Sequence, residues 1–148
     1  MTEMWDEQLM WSKYHIAVSK RLVENFSNYE EKRFLIAIIN ELATTATHVI
    51  NAFLIYTKIK YNVYLSNKAN ERLETLKKQI KKNTLTEQDY NTLIQIIELK
   101  RTQKKSPIQY QKNEKILLLK NEKYIFVSIE TLKNLTEKLE KIIKNFPN

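Results

Sequence analysis

From Asn28 to Tyr64 the chain contains neither Gly nor Pro and is apolar around most of its circumference. A helix over this stretch reaches roughly 50 Å, so the remaining elements must pack on it. Two apolar stripes run along it at steps of three and four: Ile38, Leu42, Val49, Ala52, Tyr56 and Ile59, and beside them Leu35, Ile39, Ala43, Ala46, Ile50 and Phe53. Two stripes require two sets of neighbours, which makes this the central helix of a bundle. Asn28 and Glu31 stand at capping-box spacing and mark its expected start. Asn40, Glu41, Thr44 and His48 form a polar seam across its middle. The longest unbroken apolar run, Phe34 to Ile39, is far short of the roughly 20 residues of a membrane span, so no membrane association is expected.

The flanking segments supply the neighbours. Residues 3 to 26 read as a first helix with Met4, Trp11, His15, Val18, Leu22 and Phe26 on its buried side. The short turn after it makes the first two helices antiparallel. Ser66-Asn67 can cap a third helix from Lys68 to Lys82. Thr86, with Asp89 three residues on and Leu85 able to staple to Tyr90, opens a fourth. Ser106-Pro107 closes it, because Pro107 disfavours the helical region for the residue before it. The runs Lys115 to Lys120 and Lys123 to Val127, separated by Asn121-Glu122, read as a β-hairpin with Asn121 in the left-handed turn position. A lone hairpin is marginal in water, so one face must lie on the helices. Ser128 caps a last helix that buries Leu132, Leu135, Leu139, Ile142 and Phe146. The expectation is a single all-α domain over residues 1–148: an up-and-down bundle of about five helices, with a small β-hairpin before the last helix.

With no Gly the chain cannot form a Gly-rich phosphate loop, which removes the Walker and Rossmann enzyme classes. With no Cys it has no disulfide, thiolate zinc site or Fe–S cluster, consistent with a cytoplasmic protein. Two His and scattered carboxylates lead us to expect no metal and no cofactor. The net charge of +8 is unevenly spread: residues 1–67 carry seven basic and seven acidic side chains, and residues 68–123 carry fourteen and seven. A basic middle third concentrates polyanions, nucleic acid first among them.

Within that third, Lys100, Arg101, Lys104, Lys105, Lys112 and Lys115 follow one another with Tyr110 among them, a candidate ring for stacking on a base. A winged helix-turn-helix reading fails, because Glu87 and Glu98 lie on the exposed side of the would-be recognition helix, against the phosphates. Glu41 and His48, about 10.5 Å apart along the helix, cannot share one ion without a third element between them.

The opening Tyr14-His15, the long second helix with Asn40-Glu41, and the segment from Arg101 to Ser106-Pro107 before a hairpin and closing helix resemble small archaeal proteins of the HEPN class. The resemblance implies a helical bundle, commonly dimeric, and in many members a metal-independent ribonuclease built on an Arg followed, after four to six residues, by a His. Arg101 matches the Arg, but Ser106, Pro107 and Ile108 stand where the His belongs. None of these three can accept a proton near neutral pH. The expected function is therefore a non-catalytic homodimer that binds RNA or nucleotide. Small residues at Ala43, Ala46 and Ala52 would let a second copy approach the long helix. The alternatives are a ribonuclease or nucleotidyl-modifying toxin pairing Arg101 with His48 or His15, and a protein-interaction module without a nucleic-acid role.

Overall fold

Helix α2, Lys32–Tyr61, is the element against which the others pack. The computed structural model describes residues 3–28, 30–78, 80–82 (for Lys81 the backbone alone) and 85–147. In chain order it has α1 (Asp6–Asn25), a 3₁₀ turn (Phe26–Asn28), α2, α3 (Ala69–Lys78), a second 3₁₀ turn (Ile80–Lys82) and α4 (Glu87–Lys105). Strands β1 (Gln109–Lys112), β2 (Lys115–Lys120) and β3 (Lys123–Ser128) follow, and α5 (Ile129–Lys144) closes the chain. The protein is mostly helical but not all-α. The expected hairpin is present as β2 and β3, and β1 adds a third antiparallel strand on the far side of β2.

By length and composition α2 is apolar enough to cross a membrane, which the count of unbroken apolar residues did not reveal. Its apolar stripes are nonetheless used inside the fold. Leu35, Ile38, Ile39, Leu42, Ala46, Val49, Ala52, Phe53 and Leu54 are all buried against the other elements. Ala43, Ala46 and Ala52 lie in this interior, so they serve crossings within the chain rather than the approach of a second copy. The helix also starts later than expected. Asn28 belongs to the 3₁₀ turn, Glu31 is the N-cap without a side-chain bond, and the Glu31 carboxylate pairs with Arg33 Nε at 2.8 Å instead of closing a capping box. Asn62, in the left-handed conformation at φ 52°, ends it where Gly is usual.

On α1 the buried face is not the expected one. Leu9, Ser12, Ile16 and Ser19 point inward, whereas Met4 is 73% and Trp11 41% exposed. The buried hydroxyls are satisfied: Ser12 donates to the Leu9 carbonyl at 2.7 Å, and Ser19 meets Thr136 of α5 at 3.1 Å. These small side chains let α5 and α2 close on α1, and Phe26 alone of the expected stripe is fully buried.

The caps of the later helices form as expected. Thr86 and Asp89 make a reciprocal capping box on α4, and Ser128 accepts from the Thr131 N–H at 3.1 Å on α5. The third helix is shorter than expected; Gln79, within the expected span, lies outside the described residues. The sheet buries Ile116, Leu118 and Val127 on its inner face. Its β2–β3 turn uses Asn121 and Glu122, both at positive φ, and Asn113 does the same between β1 and β2.

Candidate nucleic-acid interface

The pleat of the sheet fixes which side chains face water. Alternation puts Ile116 and Leu118 inward, so Lys115, Leu117 and Leu119 of β2 face outward. The register carries this face across all three strands: Tyr110 opposes Leu117, which opposes Phe126; Lys112 opposes Lys115; and Leu119 opposes Tyr124. Tyr110, Tyr124 and Phe126 are 62%, 60% and 55% exposed. Phe126 and Tyr124, two residues apart on one strand, are spaced by roughly 7 Å, and Tyr110 lies two strands away at about 10 Å. The Lys115 ammonium sits over the Phe126 ring, 5.9 Å from its centroid. Lys112 flanks it in the same row, whereas Lys120 and Lys123, paired at the hairpin end, alternate with the outer-face residues.

This platform is held rigidly. Ser106, 7% exposed, accepts the Leu119 N–H at 2.9 Å and donates to the Ile108 carbonyl, clipping the start of β1 to β2. Gln109 donates to the Gln103 carbonyl at 2.8 Å, and Gln111 donates to the Glu30 carbonyl at 2.7 Å. Ser106, at one of the places where the HEPN pattern has its His, is thus a structural clip.

Of the nucleic-acid-binding candidates, Tyr110, Lys112 and Lys115 share the outer sheet face, and Lys104 and Lys105 are exposed at the end of α4. Lys100 does not join them. Its ammonium donates to Asn40 Oδ1 at 2.5 Å and to Gln103 Oε1 at 3.0 Å. Arg101 pairs with Glu98 at 2.6 Å and lines a cleft against α2 and α3. Sequence reading missed Tyr124 and Phe126 as site residues. Alternation with Ile125 and Val127 puts the two on one face, but only the pairing with β2 makes that face the outer one.

The polar seam of α2 divides between two neighbours. Asn40 turns to α4 through Lys100, and the Thr44 hydroxyl returns to the Asn40 carbonyl at 3.0 Å. Glu41 and His48 turn to α1, where His15 Nδ1 donates to Glu41 Oε2 at 2.6 Å and His48 Nδ1 meets Gln8 Oε1 at 2.7 Å. The two imidazoles stack nearly parallel, 8° apart in plane and 5.8 Å between centroids, with Trp11 against both. No group able to hold a metal ion occurs among the described residues. The Arg101 cleft takes in Thr47, Ile50, Asn51 and Leu54, on a different side of α2 from Glu41 and His48 at 100° per residue.

Burial, and to a lesser degree the facing His15, lowers the His48 pKa below its ordinary value. Between that lowered value and the ordinary 6.5, the unfolded chain binds more protons at this site than the folded one, so stability rises with pH there. The contribution is whole above about 6.5 and is lost as pH falls. Melting temperatures across mildly acidic pH should fall less steeply for His48→Gln than for the parent; equal slopes would contradict the assignment. Comparison of the chain with protein-family models, with curated proteins and with solved structures finds no match, so the chemistry of these surfaces must speak for their function.

Proposed function

We propose that the protein binds single-stranded RNA without cutting it, laying the strand over the outer face of the sheet, and that it does so as a homodimer. The observation that carries this reading is the set of three rings, Tyr110, Tyr124 and Phe126, each more than half exposed on one sheet face beside Lys112 and Lys115. An antiparallel sheet packed on one side ordinarily turns polar residues to water on the other. Aromatic rings left in solvent forgo burial that stabilises by about 1.5–3 kcal/mol for a large side chain. Unstacked bases would cover these rings, while Lys112 and Lys115 meet the phosphates.

Binding without cleavage is supported by the separation of Arg101 from the two imidazoles and by the structural engagement of Ser106. The homodimer reading moves to α1. Met10, Trp11 and Tyr14 are exposed there, and the first 67 residues balance their charges, so two copies meeting on this face would not repel.

The test is a salt titration of fluorescence anisotropy with a labelled oligouridylate. Each contacted phosphate contributes about 0.7 to the slope of log K against log salt for single strands. Lys112→Ala with Lys115→Ala should therefore flatten the slope by roughly 1.4, and the oligonucleotide should be recovered intact without added metal. An unchanged slope would remove the sheet from the interface, and cleavage lost in Arg101→Ala would favour the ribonuclease reading.

A further inference from the structure

A cleft of about 240 Å³ lies between α2, α3 and α4, on another part of the molecule from the sheet. Its floor is apolar: Ile50 and Leu54 from α2, Leu73 from α3 and Ile97 from α4. Arg72 from α3 and Arg101 from α4 also line the cleft, and none of the described residues lining it is acidic. We propose that this cleft is a binding site for a small organic anion, one whose phosphate or carboxylate is gripped by Arg72 and Arg101 while its apolar body rests on Ile50, Leu54, Leu73 and Ile97.

Electrostatics and donor accounting support the assignment. Arg72 and Arg101 are the charged residues among those lining the cleft, and Glu98, outside the lining, answers Arg101, so the cleft keeps a positive charge that favours an anion. Arg101 gives one N–H to Glu98, and Arg72 gives one to the Ser66 carbonyl at a stretched 3.4 Å. Each guanidinium has five N–H groups, so most remain available to a ligand. Guanidinium forks match the two oxygens of a carboxylate or phosphate. Asn51, also lining the cleft, has a carboxamide that can both donate and accept. The volume falls below the usual 300 to 1,000 Å³ of a drug-sized pocket, which selects a compact ligand over a polymer.

Calorimetric titration of the whole protein with phenyl phosphate, hexanoate and inorganic phosphate tests the proposal. The first two should bind more tightly than inorganic phosphate, which has no apolar body, and their ranking tells a phosphate ligand from a carboxylate one. Arg72→Gln and Arg101→Gln should each weaken the tighter probe by about tenfold or more, the usual effect of losing a hydrogen bond to a charged group. Arg101→Lys, which keeps the charge but not the fork, should also weaken it. Melting curves will show that these variants fold. Tyr110→Ala with Phe126→Ala should leave this binding unchanged, separating the cleft from the sheet. Absence of binding by the parent, or arginine variants that bind as tightly as the parent, overturns the proposal.

Discussion

Removing the Tyr110 and Phe126 rings together is expected to weaken single-stranded RNA binding by about 30-fold at the least and about 10⁴-fold at the most. Each base stacked on an aromatic ring is worth about 1–3 kcal/mol by alanine substitution, and every 1.4 kcal/mol is a factor of ten. Both rings are largely in water and fill no core volume, so Tyr110→Ala with Phe126→Ala should cost only about 1 kcal/mol of stability. Phe126→Trp, which keeps a stacking face, should retain most of the affinity. Anisotropy titrations with oligouridylate, beside melting curves, separate the two effects. A double variant that binds like the parent would place the RNA elsewhere and assign the exposed rings to a protein partner.

Only part of that surface was legible in the residues. Tyr110, Lys112 and Lys115 stood out because they lie in a polar run where an aromatic is conspicuous. Tyr124 and Phe126 did not, because Tyr-Ile-Phe-Val contains no polar residue to mark its wet side. The pairing with β2 decides it, and pairing is non-local. Lys100 and Arg101 look like one patch in the chain, yet a helix turns 100° per residue and sends them to Asn40 and to the α3 cleft. Glu41 and His48 were visible as polar residues on a buried helix. Their partners His15 and Gln8 follow from the antiparallel register of α1 against α2, which no local pattern states.

Local chemistry explains what was legible in the fold. Thr86 with Asp89, Ser128, Ser106-Pro107 and the Asn121 turn each act within a few residues, and each works as its spacing implies. Strand β1 was hidden because Gln-Tyr-Gln-Lys has little strand propensity. It is held instead by its pairing with β2 and by the Gln109 and Gln111 side chains. Asn28 and Glu31 have the right spacing for a cap, but Arg33 competes for the Glu31 carboxylate.

The outward side of α1 should prove dispensable for the fold and necessary for the dimer. Hydrophobicity alone selects Trp11, His15 and Val18 as the buried stripe, whereas the structure buries Leu9, Ser12, Ile16 and Ser19. The two arrangements respond oppositely to mutation. Ile16→Ala, at a buried position, should cost about 2–5 kcal/mol. Ser19→Leu should cost about 1–3 kcal/mol by overpacking the contact with Thr136. Trp11→Glu removes an exposed ring that touches the His15 and His48 imidazoles from outside, so it should cost much less than Ile16→Ala. A charge placed at the centre of the proposed two-fold contact is repeated on the partner, and the pair of like charges should convert the dimer to monomer. Chemical denaturation of the three variants tests the buried face, and light scattering at micromolar concentration tests the assembly. A Trp11→Glu variant as unstable as Ile16→Ala would return Trp11 to the core. A parent that is already monomeric would leave Met10, Trp11 and Tyr14 without the second copy assigned to them.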